Sequence, residues 1–248
     1  MKIAIFDLDG TLAESKAKID HEMARALKRL LGRFDVAVIS GGAWPQFESQ
    51  LIGMLSLSSE ERKRLHLFPT SGTSFYSYVE DAWKQMYSDN LSPEEVKKIM
   101  DAFRKVLLNP DVAMPRRFWG DQLENRGTQI TFSAMGQLAP VAEKKKWDPT
   151  FAKRLVLIEK LMVLIPEFEL RAGGSTSIDV THKGIDKAYG IRQIEKYLPF
   201  TRADMVFVGD ALFPGGNDYA VTTTGVTCIE TSGPNFTLRI IENFMKGE

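Results

Sequence analysis

Residues 3–12 read Ile3-Ala4-Ile5-Phe6-Asp7-Leu8-Asp9-Gly10-Thr11-Leu12, a short apolar, β-rich run stopped by an acidic turn. The next segment, His21 to Leu31, places Met23, Ala24, Leu27, Leu30 and Leu31 at helical spacing. Val36 to Ile39 is a second apolar run, closed by Ser40-Gly41-Gly42, and a helix is expected from Trp44 to Leu51. The same alternation returns near the other end. A helix is predicted over Lys187 to Tyr197, a strand over Met205 to Val208 ending in Gly209-Asp210, a strand over Val226 to Ile229 and a helix over Phe236 to Phe244. Strand–helix alternation of this kind predicts an α/β fold with a doubly wound, Rossmann-like parallel sheet.

The middle of the chain follows another pattern. Asp81 to Tyr87 and Pro93 to Leu108 are expected as helices, the second opened by a capping box of Ser92 and Glu95. Ile130 to Ser133 alternates like a strand, and Thr150 to Ile165 reads as a helix stopped by Pro166. Phe168 to Arg171 and Ser175 to Val180 read as a hairpin around Gly173-Gly174. The organisation expected is a core of residues 1–81 and 184–248 with an inserted α+β domain over 82–183.

Composition excludes several classes. The 248 residues carry 32 Lys and Arg against 32 Asp and Glu, with 44% hydrophobic and 26% charged residues. That is globular, and a balanced charge argues against nucleic acid as a partner. No stretch is apolar enough for a membrane span, and the first apolar run breaks too early for a signal peptide. The single Cys228 allows no internal disulfide, so cytoplasm is the expected compartment.

In an open parallel sheet, ligands bind beyond the carboxyl ends of the strands. Asp7 and Asp9, Ser40-Gly41-Gly42, Lys187 at a helix start, and Gly209-Asp210 leading to Pro214-Gly215-Gly216-Asn217-Asp218 all fall at such ends. Asp7, Asp9, Asp210 and Asp218 crowded together repel one another unless a cation joins them, and hard oxygen ligands point to Mg²⁺. Such a site suits phosphoryl transfer. A carboxylate can serve as nucleophile, and a second one two residues on as proton donor and acceptor. Ser40 and the Gly41 and Gly42 amides can hold a phosphoryl oxygen. Taken singly, a DxDG turn, a Ser-Gly-Gly loop and a helical lysine are ordinary structure. Their order, each following an apolar run, makes the joint signal.

These segments resemble the four motifs of the haloacid dehalogenase-like superfamily: Asp7 to Leu12 the first, Ser40 the second, Lys187 the third, Gly209-Asp210 the fourth. The insert is similar to the large α/β caps of its Cof-like branch. Within that branch the chain is most similar to the eukaryotic-type α-phosphomannomutases over nearly its whole length. Gly173 to Val180, Gly184 to Gly190, and Gly209 to Asp218 carry this closer likeness. The resemblance implies Asp7 as nucleophile and Asp9 as acid/base. It implies Mg²⁺ on Asp7, the Asp9 carbonyl and Asp210, with Ser40 and Lys187 on the transferring phosphoryl group. It implies a sugar-phosphate substrate met on the cap by Arg126, Ser177 and Asp179, a cap closing over the sugar, and a homodimer through the caps.

Three positions depart from that pattern, since Lys16, Gln137 and Lys144 stand where the family has Arg. Lysine keeps the charge but loses the bidentate fork, and Gln137 removes a charge altogether. Lys16 and Lys144 are retained as substrate contacts. A sugar-phosphate phosphatase on the same machinery is therefore the alternative to a mutase, and a non-catalytic sugar-phosphate binding protein is a third reading. Lys145-Lys146-Trp147 is expected as a solvated loop. His21, His66 and His182 lack metal-ligand spacing and are expected at the surface, and Cys228 is expected to pack as a small hydrophobe.

Overall fold

A computed structural model describes residues 1–173 and 175–247, so Gly174 of the expected Gly173-Gly174 turn lies outside the described residues. The first strands are β1 (Ile3–Phe6), β2 (Asp35–Ile39), β3 (Leu65–Phe68), β4 (Ser74–Val79), β5 (Ala82–Ser88) and β6 (Leu123–Asn125). The rest are β7 (Ile130–Ser133), β8 (Phe168–Gly173), β9 (Ser177–His182), β10 (Met205–Gly209) and β11 (Thr227–Glu230). The helices are α1 (His21–Leu31), α2 (Trp44–Gln50), α3 (Ser59–Lys63), α4 (Pro93–Leu107), α5 (Val141–Trp147), α6 (Ala152–Leu164), α7 (Lys187–Tyr197) and α8 (Pro234–Lys246). None of the described helices is long and apolar enough to cross a membrane.

The chain divides into two compact units, Met1–Ser88 with Ile185–Glu248, and Asp89–Gly184. The larger holds one sheet in the order β11-β10-β1-β2-β3-β4-β5. Its first five strands pair in parallel, and β4 and β5 extend it antiparallel. The chain winds from β1 through β2 to β3 on one side and returns as β10 and β11 on the other. The order therefore reverses between β1 and β10, where a doubly wound sheet leaves its ligand crevice.

Physical chemistry explains each layer. Ala4, Phe6, Val36 and Val38 face one side with α1 and α8, while Ile3, Ile5, Ala37 and Ile39 face the other with Ile191 and Ile194 of α7. Both faces are covered, which is why β1 and β2 read as unbroken apolar runs. Helix α1 starts at Asp20, whose carboxylate accepts from Met23 N–H at 2.7 Å. Helix α7 starts the same way on Asp186, which accepts from Tyr189 N–H at 2.8 Å, so Lys187 is its first residue.

In the smaller unit, β6-β7-β9-β8 form an antiparallel sheet. Ile130, Phe132, Ile178 and Val180 pack with Ile99 and Phe103 of α4 and Leu157 and Leu161 of α6, and Phe103 stacks on Phe132 at 5.1 Å. The opposite face is polar: Thr131 stands beside Asp179, which stands beside Arg171, and Ser133 stands beside Ser177.

Three sequence expectations need correction. Asp81 to Tyr87, expected as a helix, fall instead almost wholly in strand β5 (Ala82–Ser88) of the larger sheet. Glu80 and Asp81 both adopt positive φ (51° and 58°), the two-residue turn whose twist suits a hairpin, and Trp83 meets Tyr78 across it. Pairing along β4 overrides a local helical pattern. Lys145 to Trp147, expected as a solvated loop, belong to α5, with Trp147 buried. Finally, His66 is not at the surface: it is buried in β3, its Nε2 lying 3.1 Å from Asp35 Oδ1.

Candidate active site

The carboxyl ends of β1 and β10 bring three carboxylates together. Oxygens of Asp7, Asp210 and Asp218 lie within 4.8 Å of one another. Asp7 directly ends β1, its N–H donating to Val208 O of β10 at 3.0 Å. Gly10 makes the approach of Asp210 feasible, because a Cβ there would stand 2.4 Å from Asp210 Oδ2, at a φ of +88°. Thr11 Oγ1 donates to Asp210 Oδ1 at 3.4 Å. Asp218 is fully buried, and its Oδ2 accepts from Ala211 N–H at 3.1 Å, which fastens the long loop after β10.

Lys187 enters this cluster from the first turn of α7. Its ammonium sits 2.5 Å from Asp7 Oδ1 and bridges to Asp218 Oδ1. Both Lys187 and Asp7 are 2% exposed. Burial would tend to discharge the lysine, but the carboxylates of Asp7 and Asp218 outweigh it and hold its pKa above the ordinary value. Burial pushes the Asp7 carboxyl up to about 7, Lys187 pulling against it and Asp218 adding to it. Partial burial, then the charge of Asp218, also raise Asp210.

One oxygen is left over. Asp7 Oδ2 is buried and has no hydrogen-bond partner, an arrangement that costs free energy unless something occupies the oxygen. One ammonium among three carboxylates, all hard oxygen donors with no His or Cys in the group, fits a small divalent cation such as Mg²⁺.

Asp9 stands apart from that group. Its Oδ1 accepts from Lys16 N–H at 2.5 Å and its Oδ2 from Gln46 Nε2 at 2.9 Å. Lys16 thus meets the site through its backbone, at a positive φ of 62°, with its side chain exposed. Ser40 is buried at the end of β2, and its Oγ accepts from Gly42 N–H at 3.1 Å. The Ser40 hydroxyl hydrogen therefore stays available for an anion, beside the exposed Gly41. A cavity of about 290 Å³ adjoins Asp210, lined by Gly10, Glu14, Thr231 and Ser232.

The candidate residues of the smaller unit form a second group. Arg126 donates twice to Glu124 Oε2, at 2.9 and 2.7 Å. Asp179 accepts from Thr131 Oγ1 at 2.8 Å, on the polar face that also carries Ser177. Lys144 is buried and donates to the Gln137 carbonyl at 3.0 Å. Sequence reasoning missed the support beneath this face, the Arg154–Asp148 pair, each side chain 1% exposed. Arg154 also donates to Gly173 O at 2.9 Å. Burial would raise the Asp148 carboxyl, but hydrogen bonds from Arg154 and from the Lys153 and Arg154 amides win and lower it.

Comparison with known proteins gives one answer at two levels. The family model for eukaryotic phosphomannomutase matches residues 23–247. A phosphomannomutase of Encephalitozoon cuniculi is 27% identical over 98% of this chain and 93% of the relative. One of Spinacia oleracea is 27% identical over 88% of this chain and 85% of its own length. Among solved structures, a C-terminally truncated IMP-nucleotidase of Plasmodium falciparum matches with a TM-score of 0.74 at 15% identity, over 100% of this chain and 72% of that one. A haloacid dehalogenase-like hydrolase of Bacteroides thetaiotaomicron matches with a TM-score of 0.65 at 15% identity, over 98% and 99%. At that identity the solved structures speak to the fold alone.

Proposed function

The chain belongs to the eukaryotic phosphomannomutase family, and from that premise we propose that it transfers phosphoryl groups on hexose phosphates through an aspartyl-phosphate at Asp7. The observation that carries this reading is the unpartnered oxygen of Asp7 beside a lysine that grips only its other oxygen. Lys187 fixes the carboxylate through Oδ1 and leaves Oδ2 to attack phosphorus. The bond from phosphorus to the sugar oxygen breaks as the bond to Asp7 forms, and Asp9 gives that oxygen its proton. In the second half, Asp9 takes a proton from the incoming hydroxyl, which attacks phosphorus and releases Asp7. Ser40 O–H, steadied by the Gly42 N–H on its oxygen, and the Gly41 amide hold a phosphoryl oxygen throughout.

Asp7, Asp210 and Asp218, with the Asp9 carbonyl, would hold Mg²⁺, which when bound neutralises the charge on the transferring group. In the smaller unit, Ser177 and Asp179 would meet the sugar and Arg126 a second phosphate, with Lys144 as a weaker contact.

One observation favours a second reading, a sugar-phosphate phosphatase. The Lys144 ammonium is buried against the Gln137 carbonyl, and Arg126 is already tied to Glu124. A bisphosphate intermediate gripped less firmly leaves sooner, and water then takes the phosphoryl group.

Incubation with Mg²⁺, mannose 1-phosphate and a trace of hexose 1,6-bisphosphate separates the readings. Hexose 6-phosphate without free phosphate marks a mutase, and free phosphate without the isomer marks a phosphatase. Neither product, over a broad panel of sugar phosphates, would overturn both and leave a binding protein.

A further inference from the structure

Asp9 reaches past the strand end on a tight turn, where Gly10 N–H donates to Ala13 O at 2.7 Å. A carboxylate so placed turns easily about its last bond, because that torsion has broad, shallow wells. Here both oxygens are held. Lys16 N–H takes Oδ1, and the amide of Gln46, from α2, takes Oδ2.

Gln46 is itself oriented. Its Nε2 donates a second hydrogen bond, of 3.0 Å, to Oε1 of Gln50, one helical turn on and buried. The opposite orientation of the amide would set its oxygen against a carboxylate oxygen, so the Gln50 contact selects the donating face. Room for this amide comes from Gly42, where a Cβ would lie 2.2 Å from Gln46 Oε1.

We propose that Gln46 is the positioning residue for Asp9, and that Gln50 holds Gln46 with its NH₂ group toward the carboxylate. Resting on the phosphoryl-transfer reading above, this assigns a task to two residues that belong to no motif. With both oxygens pinned, the proton-bearing oxygen of Asp9 stays aimed at the sugar oxygen that leaves phosphorus. Without Gln46 only the Lys16 N–H remains, and the carboxylate swings about that one bond. Because Gln46 rises from the helix that follows Ser40, the phosphate-holding loop and the proton donor become parts of one rigid piece.

The test uses leaving groups. A sugar alkoxide needs a proton to depart, whereas p-nitrophenolate does not. For the full-length Gln46→Met protein with Mg²⁺, phosphoenzyme formation from hexose 1-phosphate, read by rapid quench, is expected to slow by about tenfold or more. The p-nitrophenolate burst from p-nitrophenyl phosphate is expected to change less than about threefold, since proton donation contributes little to that step. KM for the sugar phosphate should stay near the parent value. Gln50→Met should give the same pattern, more weakly. Equal losses on both substrates, or none on either, would overturn the proposal.

Crystal structures of the parent and of Gln46→Met provide a readout apart from turnover. A rotated Asp9 carboxylate in the variant supports the assignment, and an unmoved one sinks it. Should the parent turn over neither substrate, the phosphoryl-transfer reading fails, while the crystal structures still decide the positioning.

Discussion

Lys187 Nζ lies 2.5 Å from Asp7 Oδ1, two groups far apart in sequence and almost wholly removed from water. The lysine arrives on the first residue of α7 and the aspartate on the first residue after β1, so each is aimed by a rigid element. One ammonium then serves three carboxylates. This imbalance of charge governs how the site should respond to substitution, pH and metal.

Asp7→Asn should abolish phosphoryl turnover yet stabilise the metal-free protein near pH 8. Burial raises the Asp7 pKa from 3.8 to about 7. The fold therefore favours the protonated acid, and the stability this gives is complete below about pH 4 and lost as pH rises through 7. An amide avoids that loss. Urea unfolding in EDTA should show a gain of about 2 kcal/mol at pH 8, shrinking toward pH 5. Unchanged turnover would remove Asp7 as nucleophile.

Lys187→Met should act in the opposite sense. It leaves Asp7 and Asp218 buried without their counter-ion, and removing one partner of such a group costs about 3–5 kcal/mol. Adding Asp218→Asn should recover part of the loss. Additive effects of the two changes in thermal unfolding would contradict the ion pairs described.

Magnesium should raise the melting temperature, and more so at pH 8 than at pH 6. Protons compete with the cation for the Asp7 carboxylate, whose pKa of about 7 lies between those two conditions. At a hundredfold excess over Kd the stabilisation amounts to about 2.7 kcal/mol. A shift of equal size at both pH values would show that the cation binds elsewhere.

Asp148→Ala should destabilise the smaller unit by about 3–5 kcal/mol, because the buried Arg154 guanidinium then loses the Asp148 carboxylate. The Asp148 carboxyl is held below its ordinary value, so its contribution is present above about pH 4 and disappears as pH falls through the depressed value. Unfolding followed by the fluorescence of the buried Trp147 reads this change; a loss under 1 kcal/mol would argue against a charged pair.

The motifs at strand ends were legible because their physics is local. An apolar run followed by Asp7-Leu8-Asp9-Gly10 says both strand and site, and Asp186 before Lys187 says helix start. Residues 82–88 were not legible, because a strand flanked by another at the sheet margin takes its form from its neighbour. The one available signal was Glu80-Asp81 lying between two aromatic-bearing runs. His66 was misplaced for a related reason: its partner, Asp35, is set by tertiary packing. Gln46 gave no signal at all, since a glutamine early in a helix is ordinary until an acid is seen beside it. Cys228 is half-buried as a packed residue should be, with burial raising its thiol pKa.

The position of β1 between β2 and β10 has a consequence for biosynthesis. As the chain leaves the ribosome, β1, β2 and β3 emerge early, but β10 follows only after the whole of Asp89–Gly184 has been made. Until then β1 presents an unpaired edge, the kind that templates wrong associations. The smaller unit, being continuous, can fold meanwhile. The nascent larger unit thus waits, Asp7 still without Lys187, until the strands and helix that follow the smaller unit have been made.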